Sequence, residues 1–366
     1  MKVYIQKHDH GMYKDLLEYP PVEYKFVQKI LLDKLIYQIS YPRIAALRFG
    51  IRDKKSLIHV HEALVKDKVP WVVDQCEAQL FIDSENYYKL TKHNYIRAVE
   101  KYLNSKYCKK IMPISNAAKE NILAFYDIKE KDKIEVVYPA IHKEKVERRE
   151  HEKIKLLFVS GNRPTNFYVK GGSEVFKAFE ILDGRYDVTL TYIGLVPEDI
   201  KEKYSERENI NIYPPQYSQH ELFEIYKNHD IFLMPTYADC FGYVILEAIS
   251  CELPVIATNM YAIPEILGEE EERGLLIDAK KLSKCPFGAS TSLTKWRNWS
   301  GFVEWIKNAD KTQIIKELIE KTSLLIEDSS MMEKIRRNQK KEVESGKFSI
   351  KERNKKLKRI YEEAIE

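Results

Sequence analysis

Two carboxylates and two cations in the second half of the chain have types and spacing suited to gripping a phosphorylated sugar. Asp239 and Glu247 bracket the pair Phe241–Gly242 within IFLMPTYADCFGYVILEAISCELPVIATNMYAIPE, residues 231–265. Arg163 and Lys170 lie upstream in VSGNRPTNFYVKGG, directly after an apolar run. Asp239 stands at or just before the N-cap of the helix that follows. Free N–H groups and the helix dipole at such a start favour a phosphate or a polar sugar oxygen. Gly242 lets a ligand approach without a Cβ in the way. Glu247, further along the same helix, has the acceptor capacity for two hydroxyls such as a ribose diol. Read alone, the two acids are a helix cap and an exposed helix residue, but the apolar flank AISCELPVIAT buries much of that helix, and a buried Glu needs a partner. Arg163 and Lys170 read alone are solvated cations. Placed at a diphosphate leaving group, whose charge grows as its bond to the sugar breaks, they stabilise the transition state more than the ground state without a metal. Gly171 and Gly172 beside Lys170 permit close backbone approach. Neither a GxxxxGK[ST] loop nor a GxGxxG fingerprint occurs.

The elements that must position these residues are legible as alternating short apolar and longer amphipathic runs. Strands are expected at Lys2–Gln6, Leu57–His61, Trp71–Asp74, Lys110–Ile114 and Ile134–Tyr138, with helices at Val22–Ile39, Lys89–Lys106 and Asn116–Phe125. A second series has strands at Lys155–Ser160, Asp187–Gly194, Asn209–Tyr213, Asp230–Met234, Pro254–Thr258 and Gly274–Ile277, with helices at Lys170–Leu182, Gln219–Lys227 and Gly242–Ser250. Such alternation with continuous apolar strands predicts α/β architecture with parallel sheets covered on both faces. The charged stretch HKEKVERREHEK, residues 142–153, reads as an exposed linker between two doubly wound domains. Residues 281–300 read as a loop insertion and Thr312–Ala364 as helical. Ligands of open parallel sheets bind beyond the carboxyl ends of the strands, where Arg163, Lys170, Asp239 and residues 259–265 all fall.

Composition narrows the function classes. A chain of 366 residues suggests two domains, and 44% hydrophobic with 32% charged residues suits a soluble globular protein. The net charge of +4 does not call for nucleic acid, although residues 1–150 hold 28 Lys/Arg and 21 Asp/Glu, an excess of +7. Five cysteines without a CxxC pair argue against a disulfide framework or zinc knuckle and for a reducing, cytoplasmic setting. The N-terminus lacks an apolar h-region, and no run approaches the ~18 apolar residues of a membrane span, so membrane contact is expected to be peripheral. Residues 331–360 carry twelve Lys/Arg and four Asp/Glu at helical spacing, read as a solvated face or a contact with anionic headgroups. Two HxH pairs, His8/His10 and His59/His61, invite a metal reading, but residues two apart share a strand face without any metal, and none is expected.

The second half resembles the nucleotide-sugar domain of the family 4 (group 1) retaining glycosyltransferases of the GT-B fold. The signature reads DCFGYVILEA, residues 239–248, with Asp239 where the family usually has Glu. Arg163 and Lys170 match its diphosphate cations, and Pro264–Glu265 match its Pro-Glu, with Tyr261 and Ala262 in place of the usual Gly-Gly. IHVHEA (58–63), MPISNAAKENIL (112–123), YPAI (138–141) and FSIKERNKKLKRIYEEAIE (348–366) are similar to other parts of the family. The resemblance implies an acceptor-side Rossmann-like domain over 1–150, a nucleotide-sugar domain over 151–345, and a closing helix over 346–366 that crosses back to the first. It implies transfer of a UDP- or GDP-linked sugar to a saccharide or lipid-linked acceptor, with no cofactor or metal and no nucleic acid partner. Arg163, Lys170 and Asp239 are the expected catalytic set. Gly161, Phe241, Gly242, Tyr243, Glu247 and Glu265 are the expected donor-binding set. The first-domain His common in the family is missing from PWVVDQCEAQ, residues 70–79, leaving Asp74 and Glu77 with His8, His10 and Gly11 for the acceptor side. That gap keeps two rivals open: a nucleotide-sugar 2-epimerase of the same fold, and a nucleotide-sugar-binding relative without turnover.

Overall fold

The computed structural model describes residues 2–6, 11–28, 44–82, 92–147, 151–268, 272–278 and 299–366. The described residues form two compact units, one running to Ala140 and including Ser345–Glu366, the other running from Ile141 to Glu344.

In the first unit the strands are β1 Lys2–Gln6, β2 Tyr24–Val27, β3 Ala46–Leu47, β4 Ser56–His61, β5 Leu64–Val65, β6 Trp71–Gln75 and β7 Cys108–Pro113. The main sheet has the order β2-β1-β4-β6-β7 and is parallel throughout, while β3 and β5 pair separately. Every residue of β4 and β6 is buried, as two covered faces require. Alternation divides them: Ile58, Val60, Trp71 and Val73 enter one core with the helix His93–Leu103, while Leu57 and Val72 enter the other with Val3, Ile5 and Met112. The second face is covered by the helix Ile350–Ile365, which starts where Ser349 accepts a hydrogen bond from the Glu352 N–H. Its Leu357, Ile360, Tyr361 and Ala364 recur at helical spacing and join that core.

Two expectations in this unit need correction. Tyr24–Val27 is a strand beside β1, not the start of a helix over Val22–Ile39, because the open edge of β1 offers this β-prone run a ladder. The later part of that expected helix, from residue 29, lies outside the described residues. Ile134–Tyr138 is extended along β7, with N–H donation from Glu135 to Ile111 and from Val137 to Pro113, yet forms only the single bridge Ile111↔Ile134.

The second unit has β8 Ile154–Gly161, β9 Val188–Gly194, β10 Ile210–Tyr213, β11 Ile231–Met234, β12 Val255–Thr258 and β13 Leu275–Ile277, parallel in the order β10-β9-β8-β11-β12-β13. The order reverses between β8 and β11, so the switch point lies at the strands that precede Lys170 and Asp239. His142–Glu144, expected in an exposed linker, is docked on this unit: Lys143 pairs with Glu252 at 2.7 Å, and Glu144 pairs with Lys227 at 2.9 Å. The next residues fit the expectation better, with Lys145 and Glu147 side chains 87% and 79% exposed.

Tyr361 binds the closing helix to the first sheet through one buried hydroxyl, 2.7 Å from His59 Nδ1 and 2.8 Å from the Tyr24 hydroxyl. Tyr361→Phe is expected to cost about 1–3 kcal/mol, because a buried polar partner is lost. The check is a lower urea midpoint with an unchanged slope.

Candidate functional site

The site of the second unit is built by lacing the loop after β8 to the loop after β11. β8 ends at Gly161, whose φ of +85° turns the chain toward Arg163. Arg163 is the N-cap of the short helix Pro164–Val169, with Pro164 in its first turn, and Lys170 is the C-cap. Gly171 follows with φ +83°, and a Cβ there would lie 2.3 Å from the Pro235 carbonyl oxygen. Only glycine allows this approach. It lets the Val169 carbonyl accept from the Tyr237 N–H at 2.8 Å and from Thr236 Oγ1 at 3.3 Å. Gly172 serves packing as well, since its Cβ would fall 2.5 Å from the Phe167 ring. The glycines beside Lys170 thus bring two protein loops together.

The lacing sets Lys170 Nζ 2.7 Å from Asp239 Oδ2 and 2.9 Å from the Ala238 carbonyl oxygen. Asp239 Oδ1 accepts from the N–H groups of Phe241 and Gly242 at 3.2 and 2.9 Å. The pair is largely buried, with side-chain exposures of 19% for Lys170 and 14% for Asp239. Burial by itself would raise the Asp239 pKa; the Lys170 ammonium and the two N–H donors outweigh it and hold the carboxyl below its ordinary range. Gly242, with φ +95°, is the N-cap of the helix Tyr243–Ser250.

Glu247 lies half-buried on that helix and accepts a hydrogen bond from the Tyr226 hydroxyl at 3.2 Å. Tyr226 is buried, and burial followed by the Glu247 charge raises its pKa far above the ordinary value. The loop after β12 joins the same end of the sheet: Thr258 Oγ1 donates to the Thr236 carbonyl, and a Cβ on Gly242 would meet Ile263 and Ile266 at 3.5 Å. Glu265 is partly buried in the first turn of the helix Ile263–Leu267. Tyr261 holds φ +46° at the position where the resemblance expects glycine, a conformation that costs a side-chain-bearing residue roughly 1–3 kcal/mol.

The structure therefore brings Lys170, Asp239, Phe241 and Gly242 together, with Glu247 on the helix that Gly242 starts. Tyr243 is partly exposed beside Gly242, while Phe241 is buried. Arg163 shares the loop after β8, but its side chain is exposed and makes no ion pair among the described residues.

In the first unit Asp74 is enclosed: His59 Nε2 lies 3.0 Å from one carboxylate oxygen, and His61 Nδ1 contacts the other. Burial opposes ionisation of Asp74, and the two imidazoles overcome it, so its pKa is lowered. Glu77 is buried at the N-cap of the 3-10 turn Ala78–Phe81. Gly11 is the first residue of the helix Gly11–Glu18. His8 and His10 lie outside the described residues. Among the described residues no group of three or more His, Cys, Asp and Glu could hold a metal ion, and no helix is long and apolar enough to cross a membrane.

Sequence reasoning missed Tyr226 and Glu62. Tyr226 was legible only as an apolar position of its helix. Glu62 has φ +51° just after β4, and its Oε1 lies 2.8 Å from Cys76 Sγ and 3.4 Å from His61 Nε2. No local signal marks that strain.

Residues 140–284 match the family model described as glycosyl transferases group 1. An uncharacterized 41.2 kDa protein in the cps region of Klebsiella pneumoniae is 31% identical over 166 residues, 42% of this chain and 44% of the relative. The capsular polysaccharide biosynthesis glycosyltransferase CapM of Staphylococcus aureus is 27% identical over 241 residues, 64% of this chain and 54% of the relative. The chain thus spans about half the length of these curated relatives. The crystal structure of Anabaena HepE in complex with UDP and glucose aligns over 98% of each chain with a TM-score of 0.59 at 13% identity. The architecture is that of the GT-B fold, as the motifs led us to expect.

The Lys170–Asp239 pair makes a pH prediction. A carboxyl with a lowered folded-state pKa contributes stability above its unfolded value and loses it as pH falls through the folded value. Asp239→Asn should lower the urea midpoint near neutral pH, and its deficit from wild type should begin to shrink below about pH 4, where the unfolded chain protonates, and vanish only as pH falls through the lower folded-state value. A deficit independent of pH would assign the pair no such role.

Proposed function

We propose that this protein is a retaining glycosyltransferase that moves a sugar from a nucleotide diphosphate donor to an acceptor hydroxyl in polysaccharide, glycolipid or glycoconjugate synthesis. The observation that carries this reading is the buried Lys170–Asp239 pair at the switch point of a parallel sheet, beside the start of a helix whose first N–H groups can donate to an anion or polar oxygen. The match of residues 140–284 to group 1 glycosyl transferases supports it, as do the capsular name of one relative and the UDP and glucose held by HepE. A uridine diphosphate donor is accordingly the first choice.

In this reading the diphosphate lies over the loops after β8 and β11. Lys170 leans from Asp239 toward the β-phosphate and offsets the charge that grows as the glycosidic bond breaks, with Arg163 closing in from the same loop. Glu247, already held by Tyr226, accepts the ribose hydroxyls. Asp239 and the Phe241–Gly242 backbone orient the sugar. Asp239 is one methylene shorter than the usual Glu and has both oxygens engaged, so its part in sugar binding is confined to its remaining acceptor capacity. Retention follows from front-face displacement, in which the leaving phosphate helps take the acceptor proton. The two cations serve in place of a metal.

Incubating the purified chain with labelled UDP-glucose and candidate acceptors separates transfer from epimerisation and from binding without turnover. Lys170→Ala is expected to cut turnover by roughly tenfold or more, and near wild-type kinetics would count heavily against its role. Glu247→Gln should weaken UDP binding by calorimetry. EDTA should leave activity intact; loss restored by Mg²⁺ or Mn²⁺ would overturn the metal-free mechanism.

A further inference from the structure

A concavity of about 280 Å³ lies in the helical layer of the second unit; its wall includes Tyr168 of the helix Pro164–Val169 but none of the polar side chains of the site above. Four lysines line it: Lys177 on the helix Gly172–Asp183, Lys203 on Glu198–Tyr204, Lys307 on Trp299–Asn308, and Lys311 just beyond. No Asp or Glu is among the described residues of its wall. Its accessible apolar part is Ile200; Phe176 and Tyr204, with rings 4.7 Å apart, are buried and form the floor.

The carboxylates that balance these lysines are not in the wall. Glu180 pairs with Lys203 at 2.9 Å, Glu304 with Lys307 at 3.8 Å, and the buried Glu174 with Lys311 at 3.6 Å. Lys177 is exposed and has no ion pair among the described residues. The Glu304 pair is long and its carboxylate is 67% exposed, so it holds Lys307 weakly. Aromatic faces hold two of the ammonium groups in place: Lys307 Nζ is 4.8 Å from the Tyr168 ring centre and Lys203 Nζ 4.7 Å from that of Tyr204. Asp199 also faces Tyr168, so four carboxylates outside the wall balance its four cations; Lys177, without an ion pair among the described residues, and Lys307, weakly held, are the ammonium groups left to meet a ligand, next to Ile200. Its volume is near the lower end of the roughly 300–1,000 Å³ of small-molecule sites.

We propose that this concavity binds a phosphate monoester whose organic part covers Ile200. Lysines act as point charges on phosphate, and ammonium groups converging from three chain segments suit a dianion better than a carboxylate. The phosphate arrives either on a small soluble ester or on a lipid headgroup, and the two sources are separable. The proposal goes beyond the donor site and does not depend on it.

The test is calorimetric titration of the full chain with glucose 6-phosphate, beside co-sedimentation with vesicles containing phosphatidic acid. Both are repeated on Lys177→Ala/Lys203→Ala, on Lys170→Ala, and on Lys340→Ala/Lys341→Ala as a control for bulk charge. The wall variant should lose at least tenfold in affinity for whichever ester binds while keeping UDP binding. Lys170→Ala should lose UDP binding and keep the ester. Binding to glucose 6-phosphate supports a soluble ligand, and binding to vesicles alone supports a lipid headgroup. Three results would overturn the proposal: no ester binding at millimolar concentration, ester binding unchanged in the wall variant, or an equal loss in the Lys340/Lys341 control.

Discussion

The second unit depends on how closely the loop after β8 approaches the loop after β11. A lysine and an aspartate 69 residues apart in sequence meet at 2.7 Å because Gly171 has no Cβ to strike the Pro235 carbonyl. Once that approach is made, the Val169 carbonyl is satisfied by Tyr237 and Thr236, and Lys170 has its counter-charge. Asp239 does two jobs with its two oxygens, one toward Lys170 and one toward the N–H groups that open the next helix. The ion pair and the turn that leads into the helix at its N-cap, Gly242, are therefore one construction. Removing either partner leaves a poorly solvated charge, which makes the arrangement stiff.

The first unit answers the same problem of buried charge differently. Asp74 is held by His59 and His61, and His59 passes the network to Tyr361 of the closing helix. In a mostly apolar sheet, that relay ties the chain terminus to β4 by polar contacts as well as by packing. Asp74 is thereby accounted for within the protein. Glu62, strained at the carboxyl end of β4 and contacted by Cys76 and His61, is the carboxylate of that edge whose side chain is the more exposed, at 26%.

Much of this was legible before any coordinates. The strands β11, β12 and β13 of the second sheet are short continuous apolar runs, and their β-branched content and length separate them from the helices around them. The helix Gln219–Lys227 announces itself by a capping box, Ser218 with Glu221. Glu247 of DCFGYVILEA could be placed on a helix by spacing alone, whereas Asp239 lies three residues before the N-cap, Gly242, and binds the turn that precedes it. What stayed hidden depends on contacts between distant segments. Tyr24–Val27 becomes a strand because β1 has a free edge, which no local pattern records. The partner of Glu247 is a tyrosine from another helix. Gly171 serves Pro235, where sequence suggested a ligand. Tyr261 takes a glycine-like φ that its side chain disfavours. In each case tertiary structure overrides or completes a local preference.

A double-mutant cycle on Lys170 and Asp239, read as UDP affinity by calorimetry, addresses the central claim most directly. If these two side chains work as one element beneath the diphosphate, the single and double alanine variants will bind UDP non-additively, with a coupling of about 1–3 kcal/mol. Additive losses, or wild-type UDP affinity in all three variants, would contradict the account.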